Sequence, residues 1–336
     1  MANVDSKRFG ARSEPPASVG RRGAALRIGA TVGDPAGIGP EVLSSALRAG
    51  AAGNAEVIVY GDLGAVERAG GLPAGVQGRR FASAPVRPGA PDPAAATGVI
   101  EAIQHAARDC LAGELDAIVT APISKEIWGD AGYTWPGHTE LLEEIAGRGR
   151  AVMMLAGQGL RVVPATIHCA LREVPSRLSE KGLLEILQVL AADLPRRFGL
   201  AQPRIAVCGL NPHASDGGRF GDEEQRMIAP AVAAARAQGI DANGPFAADT
   251  LFYRAAHGEF DVVLGMYHDQ VLGPLKLHAF GRGVNVTLGL PIVRSSPDHG
   301  TAFDIAGKGL ADDGSMREAF EVALEMAANE RRSRGA

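Results

Sequence analysis

Arg161-Val162-Val163-Pro164-Ala165-Thr166-Ile167 runs into His168, Arg204-Ile205-Ala206-Val207-Cys208-Gly209-Leu210 into Asn211-Pro212-His213, and Asp261-Val262-Val263-Leu264-Gly265-Met266-Tyr267 into His268. Each is a short apolar run with β-branched residues, the pattern of a strand buried on both faces. As strands of one parallel sheet they put all three imidazoles at its carboxyl edge, where open α/β sheets bind ligands. Three neutral imidazoles converging there suit a divalent metal with an open coordination position, which is a catalytic rather than a structural arrangement. The alternative is that each histidine caps or hydrogen-bonds the end of its own strand.

Working outward, residues 26–32 read as a strand turning at Gly33-Asp34-Pro35, and Pro40 sits in the first turn of a helix running to Arg48. A strand at 55–60, a Gly/Pro/Ala-rich loop at 71–94, a helix at 95–112 and a short strand at 116–120 ending in Ala121-Pro122-Ile123-Ser124-Lys125 follow. Strand and helix then alternate to Leu290, which predicts a mostly parallel sheet. A closing helix is expected at 318–328 and a frayed polar tail at 329–336.

The 336 residues suffice for two domains, and the net charge of −4 without a basic stripe excludes nucleic acid as a partner. Cys110, Cys169 and Cys208 are odd in number and form no C-x-x-C pair, so they read as free thiols in a reducing, cytoplasmic setting. No run is long enough to span a membrane. Residues 1–25 carry Lys7, Arg8, Arg12, Arg21 and Arg22 without an apolar segment, which excludes a secretory signal and predicts a disordered extension; an organellar presequence is the alternative.

Other segments carry candidate chemistry. Gly33–Glu41 is glycine-rich but matches neither a dinucleotide fingerprint nor a P-loop, so a tight turn explains it equally. The loop Asp298-His299-Gly300-Thr301-Ala302-Phe303-Asp304-Ile305-Ala306-Gly307-Lys308-Gly309 is small enough for a cofactor to approach its backbone, with Asp304 placed to accept from ribose hydroxyls; otherwise it is a loop before the last helix. Gly137-His138-Thr139-Glu140 opens a helix whose free amides would take an anion beside His138, or in which Thr139 is simply a cap. Lys276, Arg282, Asn285 and Arg294 follow His268 closely and suit an anionic substrate, with scattered surface charge as the alternative, strongest for Arg282. Asp249 reads either as a carboxylate orienting a ligating imidazole or as a helix cap.

These motifs, with Leu171-Arg172-Glu173-Val174-Pro175, Tyr267-His268-Asp269-Gln270 and Arg282-Gly283-Val284-Asn285-Val286-Thr287-Leu288-Gly289-Leu290, resemble the PdxA family in unbroken order from residue 28 to 328. The resemblance implies an α/β, two-domain fold like that of isocitrate and isopropylmalate dehydrogenases, with mostly parallel sheets and a cleft between domains. It assigns 26–130 plus 283–333 to a cofactor-side domain and 131–282 to a metal, substrate and dimerisation domain. It further implies a homodimer with the active site at the subunit interface, NAD or NADP as cofactor, and one divalent metal per site (Zn, Co or Mg).

The implied metal ligands are His168, His213 and His268, drawn from both subunits. His138, Thr139, Lys276, Asn285 and Arg294 would bind substrate, while His299, Gly300, Thr301, Asp304 and Gly307 would bind cofactor. Catalytic roles fall to Asp249 and to Lys276, with the alcohol proton relayed by Lys276 or by a metal-bound water. The implied reaction oxidises 4-phosphohydroxy-L-threonine at C3 and decarboxylates it to 3-amino-2-oxopropyl phosphate, within pyridoxal phosphate biosynthesis. Dehydrogenation of 4-phospho-D-threonate or 4-phospho-D-erythronate, and metal or phosphate binding without turnover, are the alternatives. Cys169-Ala170 and Ser215-Asp216 depart from the expected pattern and loosen the substrate assignment, whereas Gly137-His138-Thr139-Glu140 argues against the family's dihydrodiol branch.

Overall fold

The computed structural model describes residues 24–335, so most of the expected N-terminal extension lies outside the described residues. Its strands are β1 (Arg27–Thr31), β2 (Glu56–Gly61), β3 (Gln77–Arg80), β4 (Ala117–Thr120), β5 (Val152–Gly157), β6 (Leu160–Pro164), β7 (Ile205–Cys208), β8 (Ala242–Phe246), β9 (Val262–Gly265), β10 (Val284–Leu288) and β11 (Arg294–Pro297). They form one sheet in the order β3-β2-β1-β4-β11-β10-β5-β6-β9-β7-β8.

The fold is the expected mixed α/β type, and the three histidine-terminated runs are indeed neighbouring parallel strands, β6 against β9 against β7. Antiparallel pairings of β11 with β10, β10 with β5 and β5 with β6 lie at the centre, so the parallel group β6, β9, β7, β8 runs opposite to the group β3, β2, β1, β4, β11. Residues 26–130 plus 283–333 supply β1 to β4, β10 and β11, and 131–282 supply β5 to β9, so the two portions join through the β10–β5 ladder.

Helices cover both faces. The helix Ala96–Leu111 buries Val99, Ile100, Ile103 and Ala107 in a cluster shared with Trp128 and with Leu141 and Leu142 of the helix His138–Ala146. On the histidine side, Val271, Leu272 and Leu275 of the helix His268–Ala279 pack on Val162, Ala206 and Val263. Ser179 caps the helix Glu180–Phe198 by accepting from the Gly182 amide, and Gly199 ends it in the left-handed region, as such termini favour.

Two expectations need correction. Residues 77–80 of the expected loop form the edge strand β3, because β2 offers a free edge and backbone pairing needs no apolar side chain there. The closing helix spans Gly314–Arg334, longer than 318–328, and the polar tail is helical rather than frayed. Ion pairs hold it: buried Glu330 accepts from Arg196 and Arg334, and Arg331 bonds Asp116.

Candidate active site

The histidine edge is built by ties between strand ends. Thr166 donates its hydroxyl to the Met266 carbonyl at 2.8 Å, joining the ends of β6 and β9, while Gln270 accepts from the Met266 amide at 2.6 Å and donates to the Gly209 carbonyl at 2.8 Å, joining β9 to β7. Buried Glu224 accepts from the Leu210 and Asn211 amides at 2.8 and 2.7 Å, fixing the approach to His213. His168 and His213 both take left-handed conformations, φ 40° and 52°, which non-glycine residues adopt at a cost and which concentrate at functional sites.

The imidazoles of His168 and His268 stand with ring centroids 5.9 Å apart, a separation two rings on one ion can take with metal–nitrogen bonds of about 2.0–2.1 Å. Burial, then Lys125 and His268, hold His168 below the ordinary imidazole range, so it is neutral near pH 7, the form that ligates. His213 stands elsewhere, because the left-handed turn after Pro212 carries it to the helix Ala248–Ala256, where its Nδ1 lies 3.7 Å from Asp249 Oδ2. Among the described residues no three His, Cys, Asp or Glu side chains of this one chain stand close enough together to hold a metal ion. Within this chain the donor set that fits a metal is thus two imidazoles, His168 and His268, with His213 apart from them.

A second region is cationic. Arg294, only 3% exposed, donates to Thr120 Oγ1 at 3.0 and 2.8 Å and to Thr287 Oγ1 at 3.2 Å, and no carboxylate pairs with it among the described residues. Burial pushes its guanidinium down to about 10, so it remains charged at neutral pH without a counter-ion. His138 starts the helix His138–Ala146 after Gly137, and no side chain caps that end; Thr139 does not act as the cap, since it lies inside the helix. The His138 Nε2 atom is closed off from solvent without a partner, as is Asn285 Oδ1 on β10. Burial first, then Arg294 and Lys125, hold His138 well below the ordinary imidazole range. Buried polar atoms without partners are rare, and these two lie on the elements that surround Arg294.

Lys276, on the helix His268–Ala279, lies 3.5 Å from Asp298 Oδ2 and so links the histidine edge to the glycine-rich loop. Asp298 has its carboxyl raised, chiefly by burial, with Lys276 opposing. Arg282 instead pairs with Glu318 at 3.1 Å, the surface role.

The two glycine-rich segments dock on each other. The Ile38 amide donates to the Thr301 carbonyl at 2.9 Å, and Gly307 donates to Glu41 at 2.5 Å. Gly33, at φ 73°, lets the turn after β1 pass so close that a Cβ would stand 2.3 Å from the Pro122 carbonyl oxygen. His299 Nε2 is buried without a partner, and Asp304 and Gly307 are exposed.

Three side chains now at the site had no role in the sequence reading: Thr120, which aims Arg294 across 174 positions; Asp298, which backs Lys276; and Lys125, whose charge bears on both His138 and His168. Only Lys125 left a signal, a cation directly after a strand end and a serine cap.

Residues 43–323 match the family described as pyridoxal phosphate biosynthetic protein PdxA. A 4-hydroxythreonine-4-phosphate dehydrogenase of Geobacter metallireducens is 48% identical over 325 residues, covering 90% of this chain and 95% of its own length. The crystal structure of the Klebsiella pneumoniae enzyme of the same name superposes with a TM-score of 0.82 at 39% identity, covering 90% of this chain and all of that one. A β-decarboxylating dehydrogenase from Thermococcus kodakarensis, 18% identical with a TM-score of 0.51, covering 89% of this chain and 81% of its own, shares the fold.

Proposed function

The chain belongs to the PdxA family of oxidoreductases, and on that premise we propose that it oxidises 4-phosphohydroxy-L-threonine at C3 with NAD and a divalent metal, then decarboxylates the product. The observation that carries this reading is Arg294, a buried guanidinium without a counter-ion, beside a closed-off His138 and an uncapped helix end. A permanent buried cation without a carboxylate is costly unless an anion completes it, and a phosphate does so.

In the reaction C3 is oxidised from alcohol to ketone, losing the hydroxyl proton and a hydride, and NAD⁺ held by the loop of His299, Gly300, Thr301, Asp304 and Gly307 would supply the hydride acceptor. The C1–C2 bond then breaks, carbon dioxide leaves, and the electron pair left on C2 takes up a proton to give 3-amino-2-oxopropyl phosphate. A divalent ion on His168, His213 and His268 would supply Lewis acidity that lowers the hydroxyl pKa and polarises the ketone. Asp249 orients the His213 ring through its Nδ1 side. Lys276 is assigned the relay of the C3 proton, a role its pairing with Asp298 supports by holding the ammonium beside the loop. His138, Thr139, Asn285 and Arg294 anchor the phosphate end and so fix C3 relative to the loop of His299, Gly300, Thr301, Asp304 and Gly307, which receives the cofactor.

The third imidazole comes from a partner subunit in this reading. Large exposed apolar side chains lie near two of the ligand segments, Leu171 just after His168 and Phe220 and Tyr253 around the His213 segment, whereas Leu277 and Phe280 end the helix that His268 opens, beside the β5–β6 turn at the other edge of the sheet. Apolar groups beside the ligand segments suit a homodimer that covers them. Among the described residues no helix is long and apolar enough to cross a membrane.

The test is NAD reduction with 4-phosphohydroxy-L-threonine beside 4-phospho-D-threonate and 4-phospho-D-erythronate, at equal concentration with added divalent metal. The amino acid should win clearly in kcat/KM, because a site shaped for an ammonium at C2 leaves a buried partner unpaired when a hydroxyl replaces it. Preference for either sugar acid would move the enzyme to sugar-acid oxidation, and reduction with none would end the reading.

A further inference from the structure

We propose that Lys125 is a further substrate-binding cation, which grips the phosphate together with Arg294 and the amino end of the helix His138–Ala146. This rests on the reading above and adds a residue to it. Lys125 is set by its neighbours: Ser124 caps the short helix Lys125–Asp130 by accepting from the Ile127 amide at 3.3 Å, which fixes the helix cap four residues after the end of β4. Thr120, the last residue of β4, is the acceptor that aims Arg294, so both cations are registered to the same strand end.

The stem of Lys125 lies along the opening of the helix that His138 begins. A Cβ on Gly137 would meet Lys125 Cε at 3.3 Å, and Glu140 Oε2 lies 3.7 Å from the same point. Glu140 nevertheless does not pair with it: among the described residues Lys125 has no carboxylate within ion-pair range and no hydrogen bond, although it is exposed and free to find one. Gly137 thus has a use beyond the turn, since a side chain there would press on the lysine. The charges of Lys125 and Arg294 both bear on His138, so both cations lie near the start of its helix.

A doubly charged phosphate is the ligand that matches two cations and a row of free amides. Lysine acts as a mobile point charge there, while Arg294 is fixed. Because Lys125 is surface-exposed at a helix start, Lys125→Met leaves the packing intact.

The test measures inorganic phosphate binding by calorimetry on the intact enzyme, and it needs neither cofactor nor turnover, so it fails independently of the proposed reaction. Lys125→Met should weaken phosphate roughly 10- to 100-fold, the range of a lost charge-assisted contact, while Lys125→Arg stays within a few-fold of wild type. With the phosphorylated substrate, Lys125→Met should raise KM and leave the pH profile of kcat unmoved. Unchanged phosphate affinity in Lys125→Met would overturn the assignment. So would a collapse of kcat with KM intact, or failure of Lys125→Arg to restore binding, since either would make the lysine a proton carrier or a structural group.

Discussion

Around Arg294 each guanidinium nitrogen is held by a neighbour in the same chain, Thr120 or Thr287, with two N–H groups left over, and the side chain is buried in the sheet. Around His268 the strand ends are tied just as firmly, through Thr166 and Gln270, yet the ligand set is short by one imidazole and faces outward among exposed apolar groups. In the proposed reading one chain therefore finishes its anion site and leaves its metal site open. The difference separates two kinds of pre-organisation: fixed charge held in a low-dielectric interior, which needs no partner, and a coordination edge that assembly completes.

The largest effect should fall on the open side. His268→Ala is expected to lose bound metal and turnover by about three orders of magnitude or more, since the Lewis acid contributes several kcal/mol to such a barrier. Phosphate affinity should stay within a few-fold of wild type, because Arg294, Lys125 and His138 are untouched. Metal content after desalting, measured beside phosphate calorimetry, checks both halves; joint loss of metal and phosphate binding would merge the two regions into one.

Mixing variants sharpens the same contrast. If His168 and His268 come from one chain and His213 from its partner, inactive His213→Ala and His268→Ala enzymes should recover part of wild-type turnover after subunit exchange. His168→Ala mixed with His268→Ala should recover none, because every pair of histidines supplied by one chain is then broken. Recovery in the second mixture but not the first would instead make His168 the partner's contribution, and recovery in both would make it His268.

Arg294→Met tests the closed side, with a smaller effect of roughly 10- to 100-fold on phosphate affinity. Stability should hold or rise, as an apolar side chain of similar length replaces a buried charge that had no counter-ion. A calorimetric Tm lowered by more than a few degrees would show instead that the guanidinium chiefly braces Thr120 and Thr287.

The histidine edge was legible because its signal is local: a continuous apolar run, then a histidine, in three places, and β6, β9 and β7 form as that pattern requires. Arg294 and Asn285 were legible as residue types and motifs, but their setting was not. Thr120 meets Arg294 from 174 residues away, and Asp298 meets Lys276 through a fold that periodicity cannot specify. The polar tail misled for the same reason, since Glu330 and Arg331 look solvated until Arg196 and Asp116 arrive beside them. The departure of His213 toward Asp249 follows from a run of left-handed residues, 213 to 216, none of them glycine, so the sequence gives no hint of the turn.

The smallest effect is a dependence of stability on pH through His138. Burial chiefly, and then Arg294 and Lys125, hold its folded pKa well below the unfolded value of about 6.5. Protons then bind the unfolded chain more readily, so the stability tied to neutral His138 is fully present above about pH 6.5 and is lost as pH falls toward the folded pKa. The loss approaches 1.4 kcal/mol per pH unit at most for one such group. Against His138→Asn, wild type should therefore show a Tm difference that is flat above neutrality and closes or reverses below pH 6. Saturating phosphate should shrink this acid dependence by offsetting the two cations, without removing it, because burial is the larger cause and phosphate does not rehydrate the ring. A Tm difference unchanged across that range would place His138 in contact with water and detach it from the closed side of the site.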